Sequence, residues 1–276
     1  MTATLDQRYA TNPDMVPLMD TAELRDRYLV DDLFAPGEIR ATYTHHDRII
    51  LAGIVPAAGE LTLPTYDELR TENFLDNREA GIINIGGHGT ITADGQVYDM
   101  PAGAVLYIGR GTTTVTFTGA EAAFYLFSAT AHTSHPTVRV LADEGNVLEL
   151  GDITTSNRRT IRQMIVGGQV DSCQVVMGVT TLHEGSMWNT MPAHTHDRRT
   201  ECYLYYGLNE DARVIHLMGE PEETRHLVMK NREAVISPSW SVHSGVGTAA
   251  YTFVWAMAGE NQDYTDMDVL PAAELQ

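Results

Sequence analysis

Residues 191–209, MPAHTHDRRTECYLYYGLN, set two histidines one residue apart, a glutamate five residues after the second, and then an aromatic run that reads as a strand. Side chains two apart on a strand point to the same face, so His194 and His196 project together. Glu201 opens the next strand, where Tyr203 and Tyr205 share its face. Two imidazoles and a carboxylate on adjoining strands can converge on one point inside a barrel. They form a mixed N/O ligand set suited to Zn, Mn, Fe or Ni. SPSWSVHSGVG (237–247) offers a fourth ligand, His243, after a proline-containing turn. The expected metal ligands are therefore His194, His196, Glu201 and His243.

The sequence on either side fits a barrel. DRIILAGIV (47–55), AGIINIG (80–86), GTITADGQVYDM (89–100), AVLYIG (104–109), TTVTFTG (113–119) and AFYLFSAT (123–130) are short β-rich segments, and Asp94-Gly95 is a hairpin signal. A second series follows: CQVVMGVTTL (173–182), TECYLYYGL (200–208), RVIHLMG (213–219), TRHLVMK (224–230), EAVISP (233–238) and AYTFVWAM (250–257). Many short strands separated by turns predict an all-β protein of sandwich or barrel type. The one helical stretch is MDTAELRDRYLVDDLF (19–34), where Asp20 and Glu23 form a capping-box pattern. The acidic, turn-rich stretch 140–157 reads as the connection between two halves, 1–150 and 151–276. The acidic tail ENQDYTDMDVLPAAELQ (260–276) reads as a segment packed along the surface.

Composition narrows the chemistry. The net charge is -19 over 276 residues, which argues against nucleic acid or an anionic membrane as partner. An anionic substrate would then need a local positive pocket, which works because salt screens the global field over roughly 8 Å. Lys230 is the single lysine, so Schiff-base chemistry is improbable. Two cysteines, Cys173 and Cys202, make no disulfide framework. No apolar run reaches a membrane span, and the first residues do not read as a secretory leader, so cytoplasm is the expected location.

The metal-ligand pattern resembles that of the cupins. That family's first motif corresponds to Gly185, an eight-residue spacer, His194-Thr195-His196, four residues, Glu201, five residues and Gly207. Its second corresponds to Pro238 through His243, with Trp240 where cupins carry glycine. GHGTITADGQVYDMPAGAVLYIGRG (87–111) has cupin rhythm without a His-x-His, and His88, His132 and His135 follow no ligand spacing. The expectation is a bicupin: two cupin-type β-barrels with a short N-terminal helix. The first barrel would be metal-free and serve structure and assembly, and the second would bind metal. Longer stretches, among them INIGGHGTITADGQVYDM (83–100), TSNRRTI (155–161), MWNTMPAHTHDRRTECYLYY (187–206), ETRHLVMKNREAVISPSWSVHSGVGT (223–248) and GENQDYTDMD (259–268), resemble the 5-dehydro-4-deoxy-D-glucuronate isomerase family. Asp197 and Thr200 depart from that family's pattern at non-ligand positions.

That resemblance implies one zinc ion per chain on His194, His196, Glu201 and His243, a homohexamer, and a place in pectin and uronate breakdown. It implies interconversion of 5-dehydro-4-deoxy-D-glucuronate and 3-deoxy-D-glycero-2,5-hexodiulosonate. Such a substrate carries a carboxylate, which an arginine fork would hold. Arg199, Arg159 and Arg225 are the candidates, with Arg158 and Arg198 beside them. For proton transfer the residues leave four candidates open: His226, Glu223, Tyr203 and Tyr205. Two rival readings are a metal-dependent cupin dioxygenase and a non-enzymatic sugar-sensing bicupin.

Overall fold

The structure is a computed structural model that describes residues 5–260 and 263–276. Two compact units form, and they interleave along the chain. Asp32–Gly145 and Met164–Val176 are the main segments of the first. Tyr9–Asp31, Asn146–Gln163 and Met177–Gln276 make the second. The N-terminal helix thus belongs to the second unit rather than to a 1–150 domain, and Met164–Val176 belongs to the first.

Both units follow one plan. The first has a seven-stranded sheet in the order Leu5–Arg8, Glu38–Thr44, Ile49–Val55, Phe124–Thr130, Arg78–Asn84, Val105–Ile108, Val138–Val140. Its four-stranded sheet runs Glu60–Thr62, Val115–Thr118, Gly89–Ala93, Gln96–Met100. The second repeats seven strands, Asn146–Leu150, Arg159–Ile165, Val176–Leu182, Thr252–Gly259, Arg199–Tyr206, Glu233–Ser237, Leu29–Val30. Its four are Trp188–Asn189, Ser244–Gly247, Val214–Glu220, Glu223–Met229. Each unit is a cupin-type barrel, and the described residues are all-β apart from one α-helix and short 3-10 turns. Asp94 and Gly95 turn their hairpin at φ 45° and 83°, both left-handed as a type I′ turn requires.

Three departures from the sequence reading have local causes. The helix spans Thr21–Tyr28 rather than 19–34. Leu29 turns extended, and Leu29–Val30 pairs as an edge strand with Val235 and Ala234. The stretch read as a connection holds the strand Asn146–Leu150, paired from Asn146↔Gln163 to Leu150↔Arg159. The strand expected from Cys173 starts only at Val176. The N–H groups of Cys173, Gln174 and Val175 donate to the Glu79 carboxylate at 2.7, 2.6 and 2.8 Å instead of to a ladder. Tyr107 donates to the same buried carboxylate at 2.6 Å.

The helix start obeys its sequence signal. Glu23 N–H donates to Asp20 Oδ1 at 2.9 Å, and Asp20 N–H to Glu23 Oε2 at 3.1 Å. The helix buries Leu24 and Tyr28. Asp20→Ala removes one side of this reciprocal cap, with an expected loss of about 1 kcal/mol in denaturant unfolding. An unchanged midpoint would mean that packing of Leu24 and Tyr28 alone fixes the helix.

The interior of the first barrel is filled. Ile82, Ile91, Leu106, Phe117, Phe124 and Leu126 close it as an apolar core. Among the described residues, one group of His, Cys, Asp and Glu side chains has metal-ligand geometry, and it lies in the second unit.

Candidate metal centre

His194 sits on the short strand Ala193–Thr195 and His196 follows just beyond it. Glu201 is on Arg199–Tyr206, and His243 immediately precedes Ser244–Gly247. Three separate elements therefore deliver four side chains to one point. Their ligand atoms lie within 4.8 Å of one another, and all four residues are buried.

The donor set fits a divalent cation. His196 Nδ1 is 2.6 Å from the carbonyl oxygen of Asp266. A carbonyl only accepts, so Nδ1 carries the hydrogen and Nε2 is the nitrogen left to offer a lone pair to a metal ion. That lone pair faces Glu201 Oε2 at 2.8 Å. His243 Nε2 is 2.7 Å from the same oxygen and 3.0 Å from His194 Nε2. Acceptor atoms crowded this closely repel one another unless positive charge sits among them. Burial drives the His194 imidazole down to about 2, helped by repulsion from His243, so the ring is neutral and free to ligate. Burial also pushes the Glu201 carboxyl upward. The imidazoles of His243 and His196, at 2.7 and 2.8 Å, outweigh it and hold the group well below the usual carboxylate range.

The cluster opens on a cleft of about 200 Å³. Its walls are largely apolar, with Met191, Met257, Met267 and Phe253 among them. Trp255 forms another part and donates its indole N–H to Thr180 at 3.1 Å. The ring lies so close to Gly178 that any side chain there would collide with it, which explains the glycine in mid-strand.

The candidate arginines have different fates. Arg159 lines the cleft. Its Nη1 donates to the Asn157 carbonyl at 2.9 Å, but its Nε is buried without a partner. No carboxylate among the described residues pairs with it. Burial lowers its pKa, opposed by the hydroxyls of Tyr264, Tyr203 and Tyr251. Arg199 is 1% exposed and turned away from the cleft lining, its guanidinium occupied by the carbonyls of Asp263 at 2.8 Å and Asp266 at 3.1 Å. Arg225 donates to the carbonyls of Val16 and Met19 at 2.8 and 2.7 Å, pinning the 3-10 turn Pro13–Leu18. Arg198 pairs at the surface with Glu260 at 2.5 Å, and Arg158 is exposed.

Of the four proton-transfer candidates, Tyr203 lines the cleft. Its ring centroid lies 5.5 Å from that of His243, and its hydroxyl hydrogen-bonds with Thr190. Tyr205 is buried behind it, 2.8 Å from His216 Nδ1. Glu223 and His226 are exposed on the strand Glu223–Met229, outside the cleft.

Sequence reasoning missed the tail. Asp268–Leu270 pairs with Ala193–Thr195, the strand that carries His194. Tyr264, Met267 and Val269 form part of the cleft wall. The Tyr264 ring lies 5.3 Å from Trp255, and Tyr264 hydrogen-bonds with Gln163. The quoted stretch GENQDYTDMD was the available signal, but its acidity read as a solvated face.

Two cupin barrels, one of them holding a buried three-histidine, one-glutamate cluster suited to a metal ion, define the class: a bicupin with a single candidate metal centre. The fold is shared with solved structures. An IolB-like protein from Salmonella typhimurium LT2 superposes with a TM-score of 0.67 at 15% identity, over 80% of this chain and 86% of that one. The oxalate decarboxylase of Lactobacillus farciminis gives 0.57 at 9% identity, over 80% and 79%. Residues 31–272 match the KduI/IolB family, and the chain belongs to it. A relative from Kineococcus radiotolerans is 62% identical over 99% of this chain and 100% of its own length, and is named 4-deoxy-L-threo-5-hexosulose-uronate ketol-isomerase. One from Formosa agariphila with the same name is 52% identical over 100% of both chains.

Proposed function

We propose that this chain is a metal-dependent ketol-isomerase that interconverts 5-dehydro-4-deoxy-D-glucuronate and 3-deoxy-D-glycero-2,5-hexodiulosonate. The full-length relatives named for this activity support the reaction. The observation that carries the reading is Arg159: a cation without a carboxylate partner, in the same cleft as the metal cluster, in a chain of net charge -19.

The reaction moves a carbonyl from C1 to C2 of the substrate, one end of which is a carboxylate. Arg159 holds that carboxylate through the terminal guanidinium hydrogens that its one bond to Asn157 leaves over. This orients the aldehyde end toward His194, His196, Glu201 and His243. These four residues would hold a divalent ion, which would supply Lewis acidity to the carbonyl that moves. Tyr203 lies beside His243 with its phenol raised well above its ordinary value, chiefly by burial and then by the Glu201 charge. It therefore stays protonated at neutral pH and acts as a hydrogen-bond donor to a substrate oxygen that gains negative charge. The apolar wall limits water around the acidic C–H positions of the intermediate. Deoxygenated carbon in the middle of the substrate suits that wall.

We assign zinc as the ion, from the His3Glu set and the sequence resemblance, and a cytoplasmic homohexamer in pectin and uronate catabolism as the setting. No helix of the described residues is long and apolar enough to cross a membrane. Light scattering that returns a mass near the 30.4 kDa of one chain would reject the hexamer. For the reaction, the zinc-loaded protein is expected to isomerise the deoxy-ketouronate, to lose turnover on chelation and to regain it with zinc. A fully loaded protein that leaves this ketouronate unchanged would overturn the assignment.

A further inference from the structure

The tail segment 263–270 does more than wall the cleft. Its Asp266 carbonyl is the partner that fixes the His196 ring, through the 2.6 Å contact with Nδ1. Arg199 holds that carbonyl from the other side. Nη2 donates to Asp266 at 3.1 Å and approaches Tyr264 at 3.4 Å, and Nη1 donates to Asp263 at 2.8 Å. Nη2 also lies 3.4 Å from His196 Nδ1. Both are nitrogen donors once Nδ1 gives its hydrogen to Asp266, so the carbonyl, not the imidazole, joins them. Within the loop, Thr265 N–H and Oγ1 cap Asp263 Oδ1 at 2.9 and 2.8 Å. The loop then enters the strand Asp268–Leu270 beside His194. One buried guanidinium thus gathers the carbonyls of a remote segment and sets one of them against a metal-site imidazole.

We infer that Arg199 is a positioning residue: it pins the tail so that the Asp266 carbonyl orients His196, and it thereby couples closure of the cleft wall to metal affinity. The inference rests on the metal reading of the cluster and is independent of which sugar the enzyme turns over. A hydrogen-bond partner on the far nitrogen of a ligating histidine fixes its tautomer and direction, and losing such a partner costs metal affinity by about 10–100-fold. Coupling is reciprocal, so metal binding must also tighten the tail.

The test is zinc affinity, measured by competition with a chromophoric chelator on the full chain and on a chain ending at Glu260. Arg199→Met is expected to weaken zinc binding by about 10–100-fold in the full chain. In the shortened chain, where there is no carbonyl left to hold, the same substitution is expected to change it by less than about threefold, the mark of two sites acting as a unit. Arg199→Lys, which keeps the charge but cannot reach several carbonyls at once, falls between wild type and Arg199→Met. Backbone amides of 268–270 are expected to exchange hydrogen more slowly when zinc is added to the wild type. Equal zinc affinity for wild type and Arg199→Met would overturn the inference, as would an equal loss in both chain lengths. Should the wild type itself bind no zinc, the metal reading fails first. Should the shortened chain not fold, the Lys comparison and the exchange measurement decide on the full chain.

Discussion

Glu201→Gln is expected to remove stoichiometric metal and, with it, nearly all turnover. Glu201 is the single anionic ligand, and two imidazole nitrogens lie 2.7 and 2.8 Å from its Oε2. An amide oxygen carries no formal charge, so a dication placed among three neutral imidazoles in a buried site loses its main electrostatic compensation. Loss of an outer partner alone costs about 10–100-fold in affinity, so loss of the charged ligand should exceed about 100-fold. Glutamine keeps the volume and the strand pairing Glu201↔Met257 and Glu201↔Ser237, so the apoprotein should still fold. Elemental analysis after dialysis against zinc checks this. One retained equivalent per chain in the glutamine variant would remove Glu201 from the ligand set.

Arg159→Met is expected to separate substrate binding from metal binding. Methionine fills similar space against the apolar wall but carries no charge. Metal content should stay at the wild-type value, because Arg159 touches none of the four ligands through any hydrogen bond. KM for the ketouronate should rise and kcat/KM should fall by about 1.5–3 kcal/mol, the range for a hydrogen bond to a charged group. Stability should move the other way. The guanidinium is disfavoured by burial and lacks a carboxylate partner, so its removal should leave the melting temperature unchanged or raise it. An unaltered KM would discard Arg159 as the carboxylate anchor. A drop in both stability and metal content would make it a structural residue instead.

The contrast between Arg159 and Arg199 marks the limit of what the sequence carried. Of the candidate ligands, His194, His196 and Glu201 were legible because short spacing places them together almost independently of the rest of the chain, and His243 through its proline-containing turn and the cupin resemblance. The two arginines are equivalent as letters. Only the surroundings that long-range folding brings distinguish them: three tail carbonyls around the Arg199 guanidinium, and for Arg159 one carbonyl bond, to Asn157, and a place in the cleft wall. His226 and Glu223 looked as plausible as Tyr203 until their strand took the edge of the four-stranded sheet and left both exposed, outside the cleft. Strand content and the two-barrel plan followed from alternation and turn residues. The strand Asn146–Leu150 did not, because Asn146, Glu149 and their acidic surroundings resemble a loop until Arg159–Ile165 pairs with them. Nor did the tail, where Asp263 and Asp268 are exposed while Tyr264, Met267 and Val269 line the cleft.

The order of the chain gives the tail a further meaning. The four ligands end at His243, and the segment that aims one of them begins some twenty residues later, at Asp263. On a ribosome, the coordinating side chains emerge before the carbonyl that orients them and before the strand that covers them. An ion taken up at that stage would lack the Asp266 contact that aims His196. Under the proposed metal reading, tight binding would wait until Asp268–Leu270 has paired beside His194, so the choice of metal would reflect the pool met by the finished barrel rather than the first ion encountered.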